Sequence, residues 1–160
     1  METAATISSD DNDDSFRFVV TGFGPFNGIP TNPTSILAEE LLAHLQQSTQ
    51  ESNDPVLSVL AKCTETKIVE TSAQAVRQEM KLMQQELQRY KSVIILHLGV
   101  DGSGTRFKLE KCAYNDASFR VPDEQGYRPT ATPVVDTCSL GSTLTASFDV
   151  PVLVKHMNTT

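Results

Sequence analysis

Residues 16–33 read FRFVVTGFGPFNGIPTNP, and they decide the fold class. Phe16–Thr21 is aromatic and β-branched, the composition of a strand. Gly22, Gly24 and Gly28 follow as a glycine-rich turn. Asn32-Pro33 has the chemistry of a helix start. An Asn cap accepts from free N–H groups of the first turn, and Pro fits the first helical position because no N–H is needed there. Leu37, Leu41 and Leu45, flanked by Ala38 and Leu42, put one apolar face on a helix to about residue 46. Residues 47–55, QSTQESNDP, read as a polar loop.

Outward from that stretch the pattern repeats. Val56–Ala61 reads as a second strand, and Ile68-Val69 as the start of a short extended piece. Val76, Met80, Met83, Leu87 and Tyr90 then fall at helical spacing and predict one apolar stripe over four turns. Val93–Leu98 is a continuous apolar run, which predicts a strand buried on both faces. A second glycine-rich turn, Gly99–Thr105, ends it. Strand, helix, strand, helix, strand implies βαβ units and a largely parallel sheet. Beyond it, Phe107, Leu109 and Cys112 alternate like a strand, and Pro122, Gly126, Pro129 and Pro133 mark a long irregular segment. Val150–Val154 is apolar, and no further strand or helix pattern follows to close the sheet. The expectation is an α/β domain over residues 15–160 that is missing its C-terminal elements.

The composition excludes several function classes. A chain of 160 residues and 17.5 kDa suits one domain. At that size about 70% of the unfolded chain's surface can be buried without disulfides or metals. Hydrophobic residues at 39% and charged residues at 21% exclude a wholly disordered chain. No apolar run reaches the length of a membrane span, about 18 residues. Thirteen basic against twenty acidic residues, a net −7, speaks against a nucleic-acid surface. Residues 1–14 hold Glu2, Asp10, Asp11, Asp13 and Asp14 and no base, which predicts an acidic disordered tail and neither a signal nor a transit peptide. Cys63, Cys112 and Cys138 are odd in number and lack C-x-x-C spacing, so free thiols in a reducing cytoplasmic compartment are expected. His44, His97 and His156 form no ligand pair, and neither a metal nor a cofactor is expected.

The glycine turns match phosphate-binding loops poorly. Gly22, Gly24 and Gly28 are spaced one residue too long for a dinucleotide fingerprint, and Pro25 removes a backbone N–H. Gly99–Thr105 lacks the Gly-Lys-[Ser/Thr] ending of a Walker loop. A nucleotide-binding domain is therefore disfavoured, and the glycines read as sharp strand-to-helix turns. Phe23 and Phe26 have two readings: core packing, or the lining of a small apolar pocket at the sheet's carboxyl edge.

At this point the residues become familiar. Val19–Gly28 with Asn32-Pro33 resembles the opening of the pyroglutamyl-peptidase I (pyrrolidone-carboxylate peptidase) family. Leu98-Gly99, Leu109–Asn115, Arg120–Asp123 and Gly126 resemble that family's middle motifs in order, with weaker similarity at Phe148–Val152. The resemblance implies a three-layer α/β/α sandwich with a mostly parallel mixed sheet. It implies a metal-independent cysteine exopeptidase that removes N-terminal pyroglutamate (5-oxoproline) from peptides, using a Cys-His-Glu triad. Glu110 falls on the triad acid, expected to be buried. Phe23 and Phe26 fall on the aromatics of the substrate pocket, whose ring faces suit a flat lactam. Arg120 falls on a position tied to the oxyanion environment, Val121 on a pocket aliphatic and Thr71 on a pocket threonine.

The departure from the family pattern is as informative. The family's nucleophile motif, Asp-Ala-Gly-Arg-[aromatic]-[aliphatic]-Cys, is absent from these 160 residues, as is the motif of its triad His. Cys112 sits inside the motif of the acid, and Cys138 has no helix N-terminus predicted beside it to lower its pKa. His97 reads as a hydrogen-bonded core histidine. The expectation is a C-terminally truncated family member that keeps the pocket and the acid and is inactive alone. The rival is a non-catalytic pyroglutamyl-peptide-binding or regulatory subunit, either a homo-oligomer or paired with a full-length family member.

Overall fold

The computed structural model describes residues 15–157; the expected acidic tail, residues 1–14, lies outside them. The described chain divides into two compact units, one of residues 15–25 with 29–99, the other of residues 26–28 with 100–157.

The first unit begins with β1 (Phe16–Phe23), and α1 (Pro33–Glu51) and α2 (Pro55–Cys63) follow it. Next come β2 (Thr64–Val69), α3 (Ala73–Glu86) with a 3-10 turn at Leu87–Arg89, and β3 (Ser92–His97). The strand order is β2-β1-β3, and both pairings are parallel. Helices cover both faces of this sheet. Val19 of β1 packs on Met83 and Leu87, with Met80, Tyr90 and Val93 around them, so the stripe read from spacing is the core seam of α3. On the opposite face α1 comes so close to β1 that a Cβ on Gly22 would lie 2.2 Å from the Thr34 carbonyl oxygen. Gly22 is therefore there for close approach, where the sequence suggested a turn.

The helix starts follow the chemistry of their caps. Asn32 accepts from Thr34 N–H with Pro33 behind it, as expected, and Ser72 accepts from Ala75 N–H. The same signal was missed at Asp54-Pro55. Val56–Ala61, read as a strand, lies in α2, where Asp54 Oδ1 accepts from Val56 N–H at 2.8 Å. Its apolar residues fit a helical period as well as a strand run, and the cap decides. The strand is the threonine-rich Thr64–Val69 beside it. The loop read at 47–55 shrinks to residues 52–54, because α1 continues to Glu51.

β3 corrects another expectation. It stands at the sheet edge; Val93, Ile94 and Leu96 are half-buried, while Ile95 and His97 are exposed. Among the described residues no strand pairs with its outer edge, so an apolar run suited to a central strand lies half uncovered. Outside the core an ion cluster ties β2 to α3. Lys67 Nζ reaches Glu79 at 2.9 Å, Glu86 at 3.0 Å and Glu65 at 3.6 Å. Burial disfavours the Lys67 charge, yet its bonds to Glu79 and Glu86 outweigh that and raise its pKa.

The second unit is sparse. β4 (Cys112–Tyr114) pairs antiparallel with β5 (Thr143–Thr145), and α4 spans Val150–Met157. The strand read over Phe107–Cys112 begins only at Cys112. Phe107 is 87% exposed, and Lys108 is tied to Asp101 Oδ2 at 2.6 Å, so that stretch follows a loop. The apolar Val150–Val154 lies in α4, where Asp149 Oδ1 accepts from Val152 N–H at 3.2 Å.

Candidate active site

The chain leaves β1 for β2 on one side and returns through α3 to β3 on the other. The carboxyl ends of β1 and β3 therefore flank a switch point, where open parallel sheets bind ligands. Phe23 is the last residue of β1 and half-buried. Its N–H donates to Thr34 Oγ1 at 2.9 Å, and that hydroxyl donates to Asn32 Oδ1 at 2.9 Å. The Gly24 carbonyl accepts from Asn32 Nδ2 at 3.0 Å and from Thr71 Oγ1 at 3.1 Å. Gly24 N–H donates to Val69 O at 2.9 Å. The starts of α1 and α3 and the end of β2 thus all grip the Phe23–Gly24 segment. Thr71, read from the resemblance as a pocket threonine, bonds the residue that follows Phe23.

Beside it, Thr21 is fully buried and its Oγ1 lies 2.7 Å from His97 Nδ1. The two residues are register partners across β1 and β3. His97 is hydrogen-bonded, as expected. It is not a core residue, since it is exposed. Partial burial of the group lowers its pKa.

The second unit holds the other sequence-predicted residues. Phe26 and Val121 are half-buried, and Arg120 is exposed. Glu110 precedes β4 and is exposed, where the resemblance implied a buried acid. The Tyr114 pKa is raised, chiefly by its hydrogen bond with the Cys112 side chain and least by the charge of Glu110. Asn115 and Asp123 belong to the motifs that carried the resemblance, and both build loops. Asn115 Nδ2 donates to the carbonyls of Val135 (3.1 Å), Cys138 (3.0 Å) and Ser139 (3.2 Å), and its Oδ1 accepts from Val134 and Val135 N–H at 2.8 Å each. Asp123 Oδ1 accepts from Gln125 N–H at 3.0 Å and Tyr127 N–H at 2.8 Å. Near the glycine turn, Asp101 accepts from Ser103 N–H at 3.1 Å, so that donor serves the protein's own carboxylate. The bonds from Lys108 and Ser103 hold the Asp101 carboxyl well below the usual carboxylate range.

Sequence reasoning missed Thr21, Thr34 and Asn115. The available signal was a polar residue where the pattern demands burial, Thr21 at the end of an apolar strand above all. Among the described residues no three His, Cys, Asp or Glu side chains gather as a metal site, and no described helix is long and apolar enough to cross a membrane.

A parallel sheet with helices on both faces and an aromatic held at its switch point defines an open α/β protein. The family model described as pyroglutamyl peptidase matches residues 16–159, and the chain belongs to that family. The pyrrolidone-carboxylate peptidase of Coprothermobacter proteolyticus is 28% identical over 120 residues, 75% of this chain and 50% of that protein. That of Streptococcus pyogenes serotype M5 is 26% identical over 118 residues, 74% of this chain and 47% of that protein. The chain thus spans about half the length of the curated relatives it matches. The crystal structure of the Thermus thermophilus pyrrolidone carboxyl peptidase is similar at a TM-score of 0.61 and 25% identity, over 89% of this chain and 64% of that one. The Pyrococcus furiosus enzyme gives a TM-score of 0.68 at 19% identity over 89% and 60%, a likeness of fold.

Proposed function

We propose that this chain supplies recognition and acid groups of a cysteine exopeptidase that removes N-terminal pyroglutamate from peptides. The observation that carries the reading is the Phe23–Gly24 segment, gripped by Asn32, Thr34 and Thr71 at the switch point of a family member's sheet. A lactam is apolar on its faces and polar at its edge, so a fixed aromatic face suits it. In the second unit, taken by itself, the family resemblance assigns Phe26 and Val121 to substrate contact and Arg120 to the oxyanion environment. Glu110 orients and charge-stabilises the imidazole that takes and returns the proton of the attacking thiolate.

The thiol and the imidazole of that reaction come from polypeptide other than these 160 residues. Cys63 ends α2 with its Sγ 4.0 Å from Leu60 O. Cys112 is two residues from Glu110 on the same short segment, and Cys138 is an exposed loop residue. None stands at the N-terminus of a described helix, the place that would lower a thiol's pKa. The 160-residue polypeptide by itself is therefore inactive. Thiols held in no disulfide suit a reducing, cytoplasmic setting.

A second reading is a non-catalytic binding or regulatory subunit, as a homo-oligomer or paired with a full-length family member. It is favoured by the half-uncovered β3 and by the exposed Val152, Leu153 and Met157 of α4. The test is incubation of the purified chain with a fluorogenic pyroglutamyl amide, with and without iodoacetamide. Absence of turnover is expected. Turnover that scales with the chain's concentration and is blocked by iodoacetamide would make Cys63, Cys112 or Cys138 the nucleophile and overturn the reading.

A further inference from the structure

Phe26 is carried by a turn of unusual backbone. Asn27 and Gly28, which follow it, have φ of 50° and 76°. Two consecutive left-handed residues make a type I′ reversal, and Asn-Gly is the pair that tolerates it best. The closing bond of such a turn uses the amide of its fourth residue, so the Asn27 amide has to find an acceptor outside the turn. It donates to Glu124 Oε1 at 2.8 Å, across 97 residues of sequence. Residues 26–28 accordingly group with the second unit, apart from the chain on either side of them.

Glu124 is aimed by the loop it stands on. The neighbouring Asp123 carboxylate is occupied by the Gln125 and Tyr127 N–H groups. Asp123 N–H donates to Tyr127 O at 2.9 Å, and Gly126 N–H donates to Asp123 O at 2.9 Å. The Tyr127 ring meets that of Phe119 edge to face at 6.1 Å, and Phe119 N–H donates to Pro129 O at 3.0 Å. Residues 119–129 are thus a closed strap, and Arg120 and Val121 lie on it. Within the second unit, one carboxylate joins the turn that bears Phe26 to the strap that bears Arg120 and Val121. A carboxylate accepting from an N–H group makes a charge-assisted bond, roughly twice as strong as a neutral one. Glu124 and Asn27 are both exposed, so water can satisfy them if the bond is lost. Stability does not depend on this bond; the direction of the turn does.

We propose that Glu124 is a positioning residue for pyroglutamyl recognition, holding the Asn27-Gly28 turn so that Phe26 keeps a fixed place relative to Arg120 and Val121. The assignment rests on the lactam reading above and deepens it.

The test is a titration of the 160-residue chain with a pyroglutamyl dipeptide amide and, as control, the prolyl equivalent, followed by nitrogen–proton correlation NMR. The native chain should bind the pyroglutamyl ligand alone. Glu124→Ala should shift the Asn27 amide resonance and weaken binding by about three- to tenfold, the loss of one net hydrogen bond. Its urea midpoint should equal that of the native chain, which separates positioning from a merely structural role. Glu124→Gln keeps an acceptor oxygen at the same reach and should bind within about threefold of the native chain. Glu124→Asp, one methylene shorter, should behave as Glu124→Ala does. An Asn27 amide that does not move, Glu124→Ala binding as tightly as the native chain, or a loss of binding matched by a lowered urea midpoint overturns the assignment of Glu124. In each of those cases selective binding by the native chain would leave the lactam reading intact. A native chain that binds both ligands alike, or neither, overturns the lactam reading and Glu124 with it.

Discussion

Gly22→Ala should damage this fold far more than Gly24→Ala, although the two glycines lie two residues apart, the first inside β1 and the second just after it. A methyl at Gly22 would sit 2.2 Å from Thr34 O, 2.7 Å from Thr34 C and 3.1 Å from Ala38 Cβ. The first two are backbone atoms of α1, so no side chain can rotate away. Relief requires α1 to retreat from β1 by about 1 Å, which forfeits roughly a quarter to half of the dispersion energy of each contact it opens. Overpacking costs about 1–3 kcal/mol, and a clash with backbone belongs at the upper end. The retreat also stretches the Phe23 N–H bond to Thr34, worth about 1 kcal/mol. The sum is about 3–4 kcal/mol. With a urea m-value of about 2 kcal/mol/M, the unfolding midpoint should fall by about 1.5–2 M. At Gly24 the nearest atoms to a new Cβ are 3.7 and 4.0 Å away, ordinary contacts. Gly24→Ala should change stability by less than about 0.5 kcal/mol. Urea denaturation followed by circular dichroism reads both. Equal midpoints, or a larger loss at Gly24, would refute the placement of α1 on β1.

Other expectations follow from the same geometry. Asn115→Ala removes five hydrogen bonds and leaves the Val134 and Val135 N–H groups without Oδ1. It should cost about 2–4 kcal/mol and speed amide exchange at those two residues, and unchanged exchange would count against the hub. The His97 pKa is lowered in the fold, so its neutral form stabilises the protein above the unfolded value of about 6.5. That contribution should fade as pH drops below about 6.5, by at most about 1.4 kcal/mol per pH unit, and His97→Gln should flatten the slope. An identical pH dependence of the urea midpoint in the variant would reject this. Lys67 has a raised pKa, so its ion cluster stabilises the fold below about pH 10 and fades above it. Lys67→Met should lower stability near neutral pH by about 1–3 kcal/mol, leaving Glu79 and Glu86 facing each other unneutralised. A midpoint matching the native chain's would show the cluster to be inert.

The sequence made some elements plain and hid others for physical reasons. Asn32-Pro33 and the Val76–Tyr90 stripe combine a cap or a long period with apolar residues, and both read correctly. Val56–Ala61 is six residues long, too short for periodicity to separate helix from strand, and the deciding Asp54-Pro55 was read as loop. Val93–Leu98 has the composition of a central strand and the position of an edge strand. Composition reports what a segment is suited to pack against, and the described residues hold no strand on that side. At the site, Phe23 and Thr71 were legible as residue types, while the clamp joining them depends on the Gly24 carbonyl, which no sequence displays. Thr21 and Asn115 act through bonds spanning 76 and up to 24 residues, and such pairings come only with the fold.

The central claim is that this chain reads a pyroglutamyl N-terminus. Calorimetric titration with a pyroglutamyl dipeptide amide, against the same peptide carrying an N-terminal proline, tests it most directly. The account predicts saturable heat with the pyroglutamyl peptide, none with the prolyl peptide, and loss of the signal in Phe23→Leu. Equal binding of both peptides, or a Phe23→Leu chain that binds as the native one does, would contradict it.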